Sequence, residues 1–414
     1  ITYINKIHIL HLEYIKSVIE QRGYKNSKVV IEAVGKAGDN YVANVKRITV
    51  EDNNGGTFKM VAKVAPTHEV HRQMGNTEAF FRNEHIMYTK VLPKYTQLEK
   101  AAEVPVKERL RYAICYGSSD EAPNEVIVLE DLNESNFQML DRFQPLKTEC
   151  VKSVLKNFAL IHSLSYALRY KEPLVYDEYK NSLFDMWAQM ANVEETIMYF
   201  KQMENNASML VDRDAHKKVI HGSINGSMEL FTKNSNIERD AKHSVILQGD
   251  AWTNNIMFKS DEENLLESIM IDYQVSRPAN PVNDLLYMIF NCTDYESRKE
   301  HFYDWIDYYH NELDKSLSNY GLKVNLVYPR DQLDVDLKRY AKSVFGLLIL
   351  LAGVLTMNTE EASAMKDSME VFDTDEALKR TEISNRNPET LAIFKKRIEG
   401  LIDSFNEFGL IKLC

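Results

Sequence analysis

Apolar residues change their rhythm near residue 134. Before that point they fall in short blocks at 29–34, 41–50, 58–64, 113–116 and 125–129, the signature of strands. Asn53-Asn54-Gly55-Gly56 separates the second block from the third and predicts a hairpin, because Asn and Gly tolerate the positive φ of tight turns. Two helices are expected among these strands. One spans 6–22, where Ile7, Leu10, Tyr14, Ile15, Val18 and Ile19 share a face and Gly23 ends the run. The other spans 76–91 and is closed by Pro93. Beyond 134 the spacing is helical, at 147–168, 180–204, 209–232, 297–319, 335–357 and 388–406. One β-rich island interrupts it, at 244–247, 256–258 and 268–271. There are no repeats and no low-complexity tracts. The pattern predicts an α+β fold of two lobes, with a small β-rich lobe at 1–130 and a large, mainly helical lobe at 131–414.

Composition narrows the choices. A chain of 414 residues is too long for one ordinary core. Hydrophobic residues at 44% and charged residues at 27% are those of a folded globular protein. The net charge of −11 argues against a nucleic-acid-binding face and leaves a small molecule as the expected partner. The longest apolar run, 344–355, is too short to cross a bilayer and reads as a buried helix. No apolar core of a secretory leader stands at the start, so none is expected. Cys115, Cys150, Cys292 and Cys414 lie far apart, which fits reduced thiols in a cytoplasmic protein.

The strongest chemical signal is Gln248-Gly249-Asp250-Ala251-Trp252-Thr253-Asn254-Asn255, followed by Ile269-Met270-Ile271-Asp272. One apolar strand delivers an Asp into a loop, an Asn follows five residues later, and a second strand delivers another Asp. Asp and Asn also cap turns and end strands without any chemistry. As an ordered trio between apolar strands, they match what phosphoryl transfer from ATP requires. Asp250 would accept the proton of a substrate hydroxyl, while Asn255 and Asp272 would hold Mg²⁺ against the phosphates.

These residues carry a family resemblance. Residues 249–258 (GDAWTNNIMF), 271–274 (IDYQ), Pro281-Val282-Asn283-Asp284-Leu285-Leu286-Tyr287, Val128-Leu129-Glu130-Asp131-Leu132 and Ile161-His162-Ser163-Leu164-Ser165 resemble, in order, the CHK-like or ecdysteroid kinase-like group of insect small-molecule kinases, relatives of the choline and aminoglycoside kinases. The resemblance implies a protein-kinase-like fold. It casts Lys63 as the strand lysine gripping the α- and β-phosphates, Glu84 as its helix partner, and the 35–41 loop with Gly38 and Asn40 as the phosphate cover. Glu130 and Leu132 would meet adenine through their main chain. Asp284 would support the catalytic loop, and His162 is a core residue. The family's loop usually opens His-Gly-Asp. Here Gln248 replaces that His, and its amide can still brace the loop.

The implied acceptor is an alcohol on a small, lipophilic, ecdysteroid-like molecule, with choline-like cations or plant xenobiotics as alternatives. A Met- and aromatic-rich stretch at 171–240, including Trp187, Phe200 and Met203, offers itself either as core or as an adaptable wall for such a substrate. A non-catalytic pseudokinase is the rival from another class, resting on Gln248 and the imperfect glycine loop. A protein kinase is disfavoured, because there is no DFG, no APE and no long activation segment.

Overall fold

β-Branched residues at alternate positions make the first third of the chain a sheet. The computed structural model describes residues 2–3, 8–25, 27–35, 44–52, 55–74, 76–190, 194–261, 264–368 and 382–413. Its six-stranded sheet comprises β1 (Thr2–Tyr3), β2 (Lys28–Ala33), β3 (Asn44–Glu51), β4 (Thr57–Val64), β5 (Cys115–Ser119) and β6 (Val126–Glu130). The order is β1-β2-β3-β4-β6-β5, antiparallel except for the β1–β2 pair. At the Asn/Gly turn Glu51 faces Thr57, and the Asp52 N–H donates to the Gly56 carbonyl at 2.9 Å.

Strand periodicity decides how the lobes are joined. Val126 and Val128 of β6 face the helix Ile9–Gln21, packing with Ile15, Val18, Ile48, Met60 and Ala62. Ile127 and Leu129, on the opposite face, join the core that also holds Phe81 and Ile86 and runs through the second lobe. One strand therefore belongs to two cores, and each such side chain taken from water contributes about 1.5–3 kcal/mol.

The second lobe is a helical bundle around a small β centre. The helix Thr148–Lys171 packs along Tyr295–Ser318, and Arg330–Leu355 packs on Ser223–Asp240. At the centre β7 (Gln138–Met139), β9 (Ile256–Asp261) and β10 (Asn264–Met270) form one antiparallel sheet in the order β10-β9-β7. β8 (Val245–Ile246) and β11 (Pro278–Ala279) form another. The architecture is the two-lobed, protein-kinase-like α+β fold, with its small sheet lobe and large helical lobe.

Three local expectations are corrected. Pro93 does not end its helix. A wide π turn at Met87–Val91 precedes it, and helix resumes at Leu92–Ala101, where the missing N–H falls in the first turn and is not needed. The stretch 180–204 is not one helix. Pro173–Ser182 ends before Leu183, Met186–Met190 is a separate short helix, and Glu194–Leu210 follows. The helix Val282–Cys292 escaped the periodicity because it is buried on every side and has no polar face. Most of the apolar run at 344–355 is buried, and among the described residues no single helix is long and apolar enough to cross a membrane. Cys115, Cys150 and Cys292 are free thiols, and Cys414 lies outside the described residues.

Gly346 is where two central helices touch most closely. A Cβ there would sit 2.0 Å from the Ser223 carbonyl oxygen, whereas one on Gly226 would meet nothing within 4 Å. Gly346→Ala should therefore destabilise by about 2 kcal/mol or more, and Gly226→Ala should stabilise by about 0.5–1 kcal/mol. Urea denaturation of both variants beside the wild type checks the pair.

Candidate active site

The site forms where β4, the helix Thr77–Ile86 and the loops flanking β9 and β10 converge. β4 presents Lys63 at the lobe boundary. Its Nζ lies 2.5 Å from Glu84 Oε2, on the helix, and 2.9 Å from Asp272 Oδ1, in the loop after β10. All three groups are largely out of water. Burial works against the Lys63 charge, but Asp272 and Glu84 more than offset this and hold the ammonium above its usual range. Burial pushes the Glu84 carboxyl up, and Lys63 pulls it back. Asp272 adopts φ +61°, a left-handed conformation that Asp tolerates better than most residues.

Asp250 faces this trio. Its Oδ1 accepts from the Tyr287 hydroxyl at 2.5 Å and its Oδ2 from Asn255 Nδ2 at 2.9 Å. Asn255 Nδ2 also donates to the Asp250 carbonyl at 2.9 Å. Burial is the largest influence on the Asp250 carboxyl, followed by the charge of Asp272, and together they push it up to about 8 against the pull of Tyr287, Asn255 and Lys63.

The loop that carries Asp250 is held through its backbone. Asp284 Oδ2 accepts from the Gln248 N–H at 3.0 Å, and its Oδ1 from the Gly249 N–H at 2.9 Å. His162 supports Asp284 from behind, Nε2 to Oδ2 at 3.1 Å, while its Nδ1 meets the Tyr309 hydroxyl at 2.9 Å. Gly249 has φ +90°, and a Cβ would lie 2.5 Å from the Val275 carbonyl oxygen, so only glycine fits. Gln248 joins both halves of the site. Its Oε1 accepts from the Asp250 N–H at 2.6 Å, while its Nε2 donates to the carbonyls of Ile271 at 2.9 Å and Asp272 at 3.0 Å.

The residues singled out from the sequence divide as follows. Lys63, Glu84, Asp250, Asn255 and Asp272 come together. Glu130 and Leu132 lie where β6 leaves the sheet; the Glu130 N–H donates to the Ile114 carbonyl at 2.8 Å, and its carboxylate meets Arg111. Gly38 and Asn40 lie outside the described residues. The Met- and aromatic-rich stretch is not a single wall. Phe200 and Met203 are core, Met198 is exposed, and Trp187 points toward the catalytic loop's surroundings. Two contributors were missed. Tyr287 sits one turn after Asp284, a spacing that could have flagged it. Asn83, next to Glu84, donates to the carbonyls of Phe184, Gln274 and Ser276 at 2.9, 3.0 and 3.1 Å and accepts from the Phe184 N–H at 2.8 Å. No sequence signal announces that.

The donor set suits a hard divalent cation. The Asn255 amide nitrogen is engaged by Asp250, which leaves its carbonyl oxygen for a metal, and Asp272 adds a carboxylate.

Known proteins were compared with this arrangement. The chain matches the ecdysteroid kinase-like family over residues 37–322. A Caenorhabditis elegans protein described as uncharacterized oxidoreductase dhs-27 is 24% identical over 316 residues, 70% of this chain. This chain spans only 35% of that relative's length. Among solved structures, Plasmodium vivax ethanolamine kinase superposes with a TM-score of 0.44 at 16% identity, covering 94% of this chain and 92% of that one. An aminoglycoside 2'-phosphotransferase-IIIa in its GDP complex gives 0.44 at 11% identity, covering 96% and 99%. Both likenesses are remote.

The raised Asp250 carboxyl has a consequence for stability. With its pKa above the unfolded value, the folded protein holds the extra proton between about pH 4 and 8, so this group's contribution falls as pH rises through that window. Asp250→Asn should therefore raise the melting temperature, with a larger gain at pH 9 than at pH 5. Equal gains at both would contradict this origin.

Proposed function

The chain belongs to the ecdysteroid kinase-like family, and we propose that it transfers the γ-phosphoryl group of ATP to a hydroxyl of a small, lipophilic, ecdysteroid-like molecule. The observation that carries this reading is Lys63, which bridges Glu84 and Asp272 across the lobe boundary within reach of the Asp250 loop. A protein that only carried a ligand would gain nothing from burying that charge set.

The residues divide the work. Lys63 binds the α- and β-phosphates, and Glu84 fixes the direction of its ammonium. Asp250 orients the acceptor hydroxyl and takes its proton, held in place by Tyr287 and Asn255. Mg²⁺, when bound by Asn255 and Asp272, supplies the positive charge that offsets the phosphate oxygens. Adenine meets the edge after β6 through the Glu130 carbonyl and the Leu132 N–H, because the Glu130 N–H is already engaged by Ile114 and the Leu132 carbonyl accepts from Phe137. Gly38 and Asn40 belong to this reading as the phosphate cover. In it residues 1–130 are the nucleotide lobe, 131–414 carry the acceptor, and the protein works in the cytoplasm. Gln248 holds the Asp250 and Asp272 segments together, so the unusual Gln does not favour the pseudokinase.

The test is product formation from Mg·ATP and a panel of ecdysteroids, sterols, choline and plant glycosides, read by mass spectrometry. Asp250→Asn should lower kcat by at least about 10²-fold, and Lys63→Met should raise KM for ATP. Absence of product together with absence of Mg·ATP binding would refute the assignment. Tyr287→Phe removes a hydrogen bond that favours the Asp250 carboxylate, so the rising limb of kcat/KM should move to higher pH while KM for ATP stays put.

A further inference from the structure

A small cavity lies against Gly249 and Tyr287, the first preceding Asp250 in the chain and the second hydrogen-bonded to it. Its other walls include Trp187, Phe231, Arg277 and Asn283. The Arg277 guanidinium is buried yet makes no hydrogen bond to any described residue. Its one carboxylate contact among them is Asp185 Oδ1, 3.6 Å from Nε. The Trp187 indole N–H is buried without a partner, and so is Asn283 Oδ1, whose amide nitrogen donates to the Asn280 carbonyl at 2.9 Å. Both residues are more than nine-tenths buried. Unpaired buried polar groups are uncommon because each has given up its water, so donors and an acceptor around one cavity point to an occupant.

The charges limit what that occupant is. Arginine stays protonated, and here it already lies 5.6 Å from the Phe231 ring centroid, the place a ligand cation would need. A quaternary ammonium would meet like charge. A full anion would meet Asp185, which already balances Arg277. A neutral oxygen, which accepts from Arg277 and Trp187 and as a hydroxyl donates to Asn283, satisfies all three groups.

We infer that this cavity receives the far, oxygen-bearing end of the acceptor, with Arg277 as the residue that sets specificity. The acceptor is then a neutral alcohol with an apolar body and a second hydroxyl or carbonyl, and choline-like cations are rejected. This rests on the phosphotransferase reading above.

The test is calorimetric titration of the full chain, without nucleotide, with ecdysone as a neutral oxygenated alcohol, cholate as its anionic counterpart and choline as the cation. Ecdysone should bind, and choline should give no heat. Arg277→Met should weaken ecdysone at least about tenfold while Mg·ATP binding is unchanged. Trp187→Phe, which removes one N–H and keeps the ring, should weaken it less, and this second variant answers the question if Arg277→Met does not fold. Ecdysone binding unchanged in both variants, choline or cholate binding as well as ecdysone, or no binding of ecdysone each overturns the inference. Lower stability with unaltered binding would identify the cavity as a structural water site and overturn it too. Product formation that ignores Arg277 defeats this inference alone, whereas loss of Mg·ATP binding in the wild type defeats the phosphotransferase reading and this inference with it.

Discussion

The buried charge of Lys63 is the constraint on which the site depends. An ammonium taken out of water needs partners, and no single element here supplies both of them. Glu84 comes from the helix Thr77–Ile86 and Asp272 from the loop after β10, so the ion group exists only when the lobes are docked. Removing one member of such a buried group leaves an uncompensated charge, typically about 3–5 kcal/mol. The same contacts that balance Lys63 therefore also fix the angle between the lobes. Asp272 meets this demand in a left-handed conformation, a local cost tolerated where the surroundings over-determine the backbone.

Around that group the second lobe builds a frame that holds backbone rather than side chains. Asp284 takes the two N–H groups just before Asp250, and His162 and Tyr309 hold Asp284 in turn. Gln248 ties the Asp250 loop to the Asp272 loop with both ends of one amide. Inside this frame Asp250 can be kept at a cost. Burial and the Asp272 charge oppose its ionisation, and only Tyr287, Asn255 and Lys63 favour it. A carboxylate poised against its surroundings is a better proton acceptor than a solvated one.

Asn83 extends the frame to the acceptor side. Its amide holds Phe184 by N–H and carbonyl and also reaches Gln274 and Ser276. Phe184 is followed by Asp185, the partner of Arg277. The helix that carries Glu84 is thus tied, through the residue beside it, to the segment that shapes the cavity by the catalytic loop. The same capture explains why helix stops at Ser182: the backbone groups of Phe184 are engaged by a side chain about a hundred residues upstream, so they cannot continue the turn.

Local pattern alone carried a good deal. The alternation in β6, the Asn/Gly turn after β3 and the helical spacing at 147–168 and 388–406 each record which side of an element meets water, and burial enforces that period wherever one face is wet. Asp250, Asn255 and Asp272 were legible because a short loop between apolar strands fixes their spacing. Val282–Cys292 was not legible as a helix, since a helix buried all round leaves no polar face to read. Lys63 and Glu84 were suggested by resemblance, but their meeting with Asp272 spans more than two hundred residues of chain. Tyr287 on Asp250, the three-way capture by Asn83 and the unpaired guanidinium of Arg277 were decided by the tertiary structure, because hydrogen bonds and desolvation act between groups adjacent in space, and sequence spacing records only those adjacent along the chain.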